Sequence, residues 1–307
     1  MWKLFSGVFL GWSLGANDSA NVFGTGVVTG IVRYRTAILI TSVFVLLGSI
    51  IEGPKCIKTI SVISKMIPIN AFFCTLSAAV TMTLLTYFSI PASTSQAIIG
   101  AVIGICPLSG PADFSMLYKI VSCWILTPVC GIIFGYLIYK LLGFILNKTT
   151  IGLTHRNLLY SIGILIAGAY GAYSLGANNV ANVTGVYVGS GILSAELASI
   201  AGGLSIVLGV LTYSRKVMIT IGKGIVALDP FSAFVTVLAE AMTLHIFTQI
   251  GVPVSSSQAI VGSVVGVGIV GNLRTVSPTM LIKIAAGWIM TPVSAGFLSW
   301  FLTKIIF

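Results

Sequence analysis

The sequence predicts an all-α polytopic membrane protein made of two inverted-topology repeats. Of its 307 residues, 57% are hydrophobic and only 7% are charged, whereas a soluble domain carries about 25% charged residues. Long apolar segments alternate with short polar loops, and the second half repeats motifs of the first half in the same order. Too few charges remain to cover a water-facing surface, so we expect the chain to lie in a lipid bilayer.

The apolar segments form two sets of five. The first set covers residues 4–30, 36–52, 70–90, 93–107 and 116–146, and the second covers 158–189, 195–214, 229–250, 255–272 and 279–306. A spanning helix needs about 20 apolar residues. The fourth segment of each set is shorter, which predicts a broken or re-entrant half-helix that protein or a water-filled cavity must surround. We expect a first repeat over residues 1–146, a basic cytoplasmic linker over 147–157 and a second repeat over 158–307.

Three motifs recur in order at a nearly constant offset, which indicates one duplicated unit. The first motif returns 161 residues later with seven of its nine positions identical, and the other two return at offsets of 162 and 164. The matched pairs are Ser13–Asn21 with Ser174–Asn182, Pro91–Gly100 with Pro253–Gly262, and Trp124–Val129 with Trp288–Val293. Such repeats are typical of secondary transporters, whose binding sites lie where the two repeats meet.

The basic residues favour one orientation in the membrane. The loop after the first segment holds Arg33 and Arg35, whereas its counterpart near residues 189–196 holds no base, as inverted repeats require. With both termini outside, the cytoplasmic side collects Arg33, Arg35, Lys140, Lys148, Arg156, Arg215, Lys216, Lys223, Arg274 and Lys283. The outside collects Lys3, Lys55, Lys58, Lys65, Lys119 and Lys304. The bases at 55, 58 and 65 argue against this assignment unless that stretch lies along the membrane interface.

The Asn-Asp motif of the first segment predicts half of a binding site. On a helix, Asn17, Asp18 and Asn21 project to one face because they are three or four positions apart. Together they offer one anionic acceptor and two amides that donate and accept. Single asparagines often only hold helices together, but here the cluster recurs as Asn178, Asn179 and Asn182. We also expect the glycines around the motif to let the helix unwind.

The serine motif predicts an anion site at two helix N-termini. A proline ends the preceding segment in each half, and serines are strong N-caps. We expect them to open short helices over 97–105 and 259–267, where free N–H groups and the helix dipole bind anions. Simple capping is the alternative, but the motif occurs twice, each time on a truncated helix. The predicted binding residues are Ser93, Thr94, Ser95 and Gln96 in the first half and Ser255, Ser256, Ser257 and Gln258 in the second.

Other polar residues give weaker indications. Glu240 lies in an apolar segment and has no matching acid in the first half, so it either binds a cation or proton or is paired near a helix end. Glu52 is expected to pair locally beside Lys55, and His245 is expected to be structural. The net charge of +10 is scattered over short loops, which argues against a nucleic-acid partner. No triad order, phosphate loop, Rossmann fingerprint or metal-ligand cluster indicates an enzyme or a cofactor.

With both motif pairs identified, the chain resembles the inorganic phosphate transporter (PiT) family over essentially its whole length. That family carries a G-A-N-D-x-A-N signature and a P-x-S-[ST]-[ST]-H-like motif in each half, and residues 15–21, 176–182, 91–96 and 253–258 occupy those places. The resemblance implies an inverted-repeat secondary transporter, usually dimeric, that moves phosphate with Na⁺ or H⁺. The family also includes a sulfate-transporting branch.

Two departures from the family pattern affect the predicted chemistry. Asn179 stands where the family usually has a second aspartate, so one carboxylate is missing. Gln96 and Gln258 replace the usual histidines, which removes two groups able to titrate near neutral pH. These departures bear on the coupling ion and on the choice of oxyanion.

The resulting hypothesis is secondary transport of inorganic phosphate across the cell membrane, with sulfate as the rival substrate. The serine-capped helices and the asparagines at 17, 21, 178 and 182 would bind the anion. Asp18, with Asn179 and Glu240, would hold the coupling cation, with Na⁺ possible at Asp18. A passive anion channel needs the same donors without a cation site, and uptake against a gradient separates the two. A non-transporting membrane scaffold or sensor leaves Asp18 unexplained.

Overall fold

The computed structural model describes residues 2–88, 92–109, 114–149, 152–225, 228–271 and 278–306. After a short 3₁₀ turn at Trp2–Leu4, these residues form twelve α-helices. The first six are α1 (Phe5–Val28), α2 (Tyr34–Ile51), α3 (Gly53–Ile63), α4 (Pro68–Tyr87), α5 (Thr94–Ser109) and α6 (Phe114–Asn147). The second six are α7 (Leu153–Gly189), α8 (Ala195–Thr212), α9 (Ser214–Ile225), α10 (Pro230–Gln249), α11 (Ser256–Gly271) and α12 (Pro278–Ile306).

The five predicted segments of each half are all helical, and each half adds one short helix that hydrophobicity alone does not reveal. These are α3, with 11 residues, and α9, with 12. Both are amphipathic: α3 packs its apolar face against α7, and α9 packs its apolar face against α1. Lys55 and Lys58 lie on α3. α7 already begins at Leu153, so the last residues of the predicted linker are helical.

Seven helices in the described part of the chain are long and apolar enough to cross a membrane: α2, α4, α6, α7, α8, α10 and α12. α1 has sufficient length at 24 residues, but its middle carries the Asn-Asp motif, and nearly all of that middle is buried among other helices. The apolar side chains of α2, α6 and α12 face outward, as expected for a surface that meets lipid.

The two halves exchange helices, which produces a pseudo-two-fold arrangement of inverted repeats. α1 packs against α8 and α9, and its counterpart α7 packs against α2 and α3. In the same way, α5 packs against α12 while α11 packs against α6. Each helix that carries a signature motif is therefore held by helices of the other repeat, and neither repeat buries its apolar surface alone.

The glycines of the signature motifs allow close helix packing, and our expectation that they unwind the helix was wrong. α1 runs unbroken from Phe5 to Val28. A Cβ on Gly15 would lie 1.9 Å from the backbone oxygen of Ile206, and a Cβ on Gly176 would lie 2.0 Å from that of Val45. Only glycine permits such backbone contact between helices. The contacts fix α1 on α8 and α7 on α2.

The re-entrant helices α5 and α11 each have 16 residues, too few to span a bilayer. They begin earlier and end later than predicted, at residues 94–109 and 256–271. Pro91, which was expected to end the preceding segment, lies outside the described residues, as does Arg274 of the charge comparison. In the second half, residues 252–255 form buried, irregular backbone ahead of α11. Buried backbone of this kind requires hydrogen-bond partners, and these come from the neighbouring site.

Candidate functional site

Every side chain predicted to bind the substrate or the cation is buried, with an exposed fraction of 8% or less. They lie on α1, α5, α7, α10 and α11 or directly before α5 and α11, and some of them form two related clusters. The first half-site consists of Asn17, Asp18 and Asn21 on α1 with Ser256 at the start of α11. The second half-site consists of Asn179 and Asn182 on α7 with Thr94 and Ser95 at the start of α5. Each cluster thus joins the signature helix of one repeat to the re-entrant helix of the other.

The first half-site is a closed hydrogen-bond network around a carboxylate. Ser256 Oγ donates to Asp18 Oδ2 at 2.9 Å, and Asn17 Nδ2 donates to Asp18 Oδ1 at 2.8 Å. Asn21 Nδ2 in turn donates to Ser256 Oγ at 3.3 Å. Both carboxylate oxygens are therefore satisfied by neutral donors, and a negative charge there still lacks a positive partner among the described residues.

The second half-site is neutral and has open hydrogen-bonding positions. Asn182 Nδ2 donates to Ser95 Oγ at 3.0 Å and to Asn179 Oδ1 at 2.9 Å. Within the part of the chain that the structure describes, Thr94 Oγ1, Asn179 Nδ2 and Asn182 Oδ1 are buried without partners. An unsatisfied buried polar atom costs about 1–3 kcal/mol, so these three atoms are candidates for contact with a bound ligand.

A reciprocal pair of hydrogen bonds joins the two re-entrant helices. Ser95 Oγ donates to the backbone oxygen of Val254 at 2.7 Å, and Ser257 Oγ donates to that of Ala92 at 3.2 Å. The two donor serines are 162 residues apart, as are the two acceptor residues, so the bonds are symmetry counterparts. They hold the two N-terminal turns side by side. The positive ends of both helix dipoles therefore point into one buried region.

The predicted capping serines occupy their expected places. Ser93 Oγ accepts from the backbone N–H of Gln96 at 3.4 Å, and Ser255 Oγ accepts from that of Gln258 at 3.3 Å. Ser255 Oγ also lies 2.9 Å from Ser257 Oγ. The remaining N–H groups of each first turn have no intrahelical acceptor, and helix N-termini of this kind are able to bind anions.

Glu240 lies on α10, which contacts α1. Its side chain has no exposed surface, and neither of its carboxyl oxygens has a partner in the described residues. It interacts electrostatically with Asp18. Two acids thus lie near each other in the interior, and no base of the described residues is paired with either, an arrangement that suits a cation or a proton.

The profile of the phosphate transporter family matches residues 14–159 and again residues 152–299. The chain belongs to this family. The two matches correspond to its two repeats, which confirms the resemblance found from the motifs.

Individual relatives cover nearly the entire transporter. A protein of Methanocaldococcus jannaschii named as a phosphate permease is 29% identical over 304 residues, covering 99% of this chain and 97% of its own. The sulfate permease CysP of Bacillus subtilis is 29% identical over 308 residues, covering 98% and 86%. A solved sodium-dependent phosphate transporter shares the fold, with a TM-score of 0.86 over all of both chains at 22% identity. These relatives are permeases and transporters, so this family member is a multi-pass membrane transporter and not an enzyme.

Asn178, a predicted binding residue of the transporter, bonds the backbone ahead of α11. Asn178 Oδ1 accepts from the backbone N–H of Val254 at 2.8 Å. Its amide donates to Thr248 Oγ1 at 3.0 Å and to the backbone oxygen of Val252 at 3.1 Å. Through these bonds Asn178 supports the irregular backbone before α11, and its contact with the substrate stays a prediction.

Sequence reasoning missed the threonine partners of this asparagine pair. Thr248 contacts Asn178, and its counterpart Thr86 donates to Asn17 Oδ1 at 3.4 Å. The two threonines are separated by 162 residues, the offset of the serine motif, so a search for matched polar residues at that offset would have found them.

Proposed function

We propose that the protein is a secondary active transporter of inorganic phosphate, coupled to Na⁺ or H⁺ symport. The observation that carries this proposal is the meeting of two re-entrant helix N-termini in a buried cluster with open polar atoms. Uncharged donors and two helix dipoles suit an oxyanion, which needs many hydrogen bonds but little opposing charge when a cation travels with it. The phosphate permease among the relatives supports the same substrate.

The coupling cation is assigned to the first half-site. Asp18 is the one carboxylate of the two signature motifs, and Glu240 adds a second acid nearby. A buried carboxylate without a base is costly, and binding Na⁺ or H⁺ removes that cost. The positive charge then offsets the charge of the anion at the joined helix ends. Asn179, the counterpart of Asp18, contributes amide groups rather than charge.

Alternating access follows from the buried site and the helix exchange. The side chains proposed to bind the substrate and the cation are all buried, as is expected of an occluded conformation. Opening requires one assembly of helices to rock against the other around the fixed site. The reciprocal serine bonds lie on the interface that has to open.

Sulfate is the second candidate substrate, and the sulfate permease of Bacillus subtilis is the observation that favours it. Sulfate and phosphate share a tetrahedral shape and the same acceptor oxygens. A passive channel would use these donors too, but it cannot concentrate its substrate.

Labelled phosphate uptake into proteoliposomes tests the proposal. The purified protein is reconstituted, and Na⁺ and pH gradients are imposed separately, with sulfate as competitor. We expect saturable accumulation above the external concentration with one of the two gradients. Equilibration without accumulation would identify a channel, and no saturable flux of phosphate or sulfate under any gradient would reject transport.

We further propose a homodimer in the cell membrane with both termini outside. The positive-inside comparison of ten bases with six supports the orientation, and the location of Lys55 and Lys58 on α3, outside the seven candidate spans, removes part of the objection to it. Labelling of single cysteines at positions 3 and 148 in intact cells tests sidedness. Exclusive labelling at 148 would reverse the assignment.

The mass of the detergent-solubilised protein, measured by light scattering, tests the dimer.

A further inference from the structure

The two glutamines of the serine motifs have carbonyl oxygens that nothing in the described protein uses. Gln96 and Gln258 are each the third residue of a re-entrant helix, three positions after the capping serine. In a Ser-x-x-Gln capping box, the glutamine side chain reaches back to the N–H of the cap residue. Here the serine half of the box is formed in both repeats, but Gln96 Oε1 and Gln258 Oε1 are without partners.

These oxygens are buried, since each glutamine is only 4% exposed. The arrangement occurs in both repeats, and the bonds of Ser95 and Ser257 hold the two first turns together. Asn182 Oδ1 is a third amide oxygen without a partner in the described part of the site. Three free acceptors therefore accompany the donors of the helix ends. A ligand that satisfies them all must itself donate hydrogen bonds.

Oxyanions differ in this property. Sulfate and selenate carry no proton near neutral pH and can only accept hydrogen bonds. Hydrogen phosphate and hydrogen arsenate have the same shape but carry at least one O–H group. An amide oxygen repels a bare anion oxygen and accepts a hydrogen bond from a protonated one. A site with buried acceptors rejects the ligand that leaves them unpaired.

We infer that Gln96 and Gln258 recognise the proton of the transported anion, so that the protein selects protonated oxyanions over fully deprotonated ones. This inference rests on the proposed transport function and names its substrate class. The two glutamines are related to each other by the pseudo-two-fold symmetry of the repeats. A bound hydrogen phosphate therefore places its O–H group toward either of them.

Two size-matched pairs of anions test the inference on the unaltered protein. Phosphate is compared with sulfate, and arsenate with selenate, as competitors of phosphate uptake and as stabilisers in thermal denaturation of the detergent-solubilised protein. We expect phosphate and arsenate to act at concentrations about 10- to 100-fold lower than sulfate and selenate. This ratio corresponds to the cost of leaving one buried acceptor unpaired when sulfate or selenate binds. Equal or stronger action of sulfate and selenate would overturn the inference while leaving transport intact.

Substitution then tests the residues. Gln96→Met and Gln258→Met keep the side-chain length and remove the acceptor. We expect each to reduce the phosphate-to-sulfate ratio toward one without changing the cation dependence. Ser263→Ala is the matched control because Ser263 bonds only within α11 and its counterpart is already Ala101. An unchanged ratio with an altered cation dependence would show that the amide oxygens bind the cation, and the inference would be wrong.

The two readouts separate this inference from the transport proposal. Selective stabilisation by phosphate and arsenate without uptake would reject transport and keep the inference. Stabilisation by none of the four anions, with no uptake, would reject both. Even if the methionine variants do not fold, action of sulfate and selenate equal to that of phosphate and arsenate on the unaltered protein would reject the inference.

Discussion

The first and second half-sites occupy equivalent places in the fold but differ in charge and in hydrogen bonding. In the first, Asp18 is fully bonded by Asn17 and Ser256. In the second, Asn179 and Thr94 stand at the corresponding positions with open polar atoms. The backbone scaffold around them is nearly symmetric, as the paired close contacts of Gly15 and Gly176 show. Duplication thus preserved the packing, while substitution of one side chain separated a charged half from a neutral half.

This difference suggests a division of work between the halves. A carboxylate surrounded by neutral donors is suited to a cation, whereas a neutral cluster with open donors and acceptors at a helix N-terminus is suited to an anion. A symmetric site with two carboxylates would repel an oxyanion more strongly. With Asn179 in place of a second acid, that repulsion is lower and the second signature motif contains no carboxylate.

Asp18→Asn makes the first half-site resemble the second, and we expect the largest effect from it. The substitution removes the one charge of the signature motifs, so concentrative uptake should fall at least about 100-fold, in line with the 3–5 kcal/mol typical of broken buried charge interactions. The measurement is phosphate accumulation under imposed Na⁺ and pH gradients.

The mirror variant Asn179→Asp is the matched control for this test. It adds an acid to the neutral half and should retain uptake with a steeper dependence on cation concentration. Intact accumulation in Asp18→Asn would show that the carboxylate does not couple transport, and the comparison of the halves would lose its functional meaning.

Gly15→Ala and Gly176→Ala should lower the folding stability by similar amounts. The helix packing around the two glycines is symmetric, although the two half-sites differ. Each added methyl group would lie about 2 Å from a backbone oxygen of the facing helix, and a backbone cannot move aside as a side chain can. We expect a loss of about 3 kcal/mol of folding free energy in each variant, the upper part of the range for overpacking.

Thermal denaturation in detergent and the yield of folded protein measure this effect. Gly143→Ala is the control, since nothing lies within 4 Å of a Cβ built there. A much smaller loss in one of the two glycine variants than in the other would show that the helix packing is less symmetric than described.

Ser256→Ala and Thr94→Val should separate the two half-sites kinetically. The hydroxyl of Ser256 donates to Asp18, and a hydrogen bond to a charged group contributes about 1.5–3 kcal/mol. We therefore expect Ser256→Ala to raise the half-saturating cation concentration at least about 10-fold. Thr94→Val removes an open hydroxyl and should raise the half-saturating phosphate concentration by a smaller factor.

Uptake measured over a grid of cation and phosphate concentrations distinguishes these outcomes. The comparison is sharpened if each variant shifts one ligand and leaves the other unchanged. If both variants shift the same ligand to the same extent, the half-sites act as one undivided site.

Much of this arrangement could be predicted from the sequence, because duplication leaves a pattern that spacing reveals. The fold class, the shortened fourth segments and the burial of Asp18 all follow from hydrophobicity and repeats. The pairing of each signature helix with the re-entrant helix of the other repeat could not be predicted, since spacing along one repeat does not show which repeat supplies a neighbour. The bond of Asn178 to the backbone before α11 could not be predicted either, because identical motif residues face different surroundings in the two halves.

A second asymmetry lies at the ends of α2 and α8. Their C-cap residues, Glu52 and Tyr213, have nearly the same backbone conformation. Glu52 Oε1 lies 2.9 Å from Lys55 Nζ, as predicted, and Glu52 Oε2 lies 3.2 Å from His245 Nε2. Tyr213 instead packs against Trp12, with ring centroids 5.4 Å apart. The C-terminal end of α2 is thus stabilised by ion pairs, and we call it the charged corner. The equivalent end of α8 is stabilised by aromatic contact, and we call it the aromatic corner.

Because of Glu52 at the charged corner, the free energy of unfolding should depend weakly on pH. Partial burial favours a higher pKa for Glu52, but hydrogen bonds from Gln249 and Lys55 and the charges of His245 and Lys55 outweigh it and hold this pKa below its usual value of 4.5. A lowered pKa stabilises the fold above the pKa of the unfolded chain, and this contribution disappears as the pH falls below it. The pair is partly exposed, so we expect a change of no more than about 1 kcal/mol.

Thermal denaturation between pH 6 and pH 3 measures the contribution of Glu52, and the difference between variants isolates it from other acids. Glu52→Gln should lose stability at pH 6 and converge with the unaltered protein at the acidic end, because protonation of Glu52 removes the charge that the variant already lacks. Tyr213→Phe at the aromatic corner should keep a constant difference from the unaltered protein over the whole range. A constant difference for Glu52→Gln as well would mean that the lowered pKa of Glu52 does not contribute to stability, and that both corners are held by packing alone.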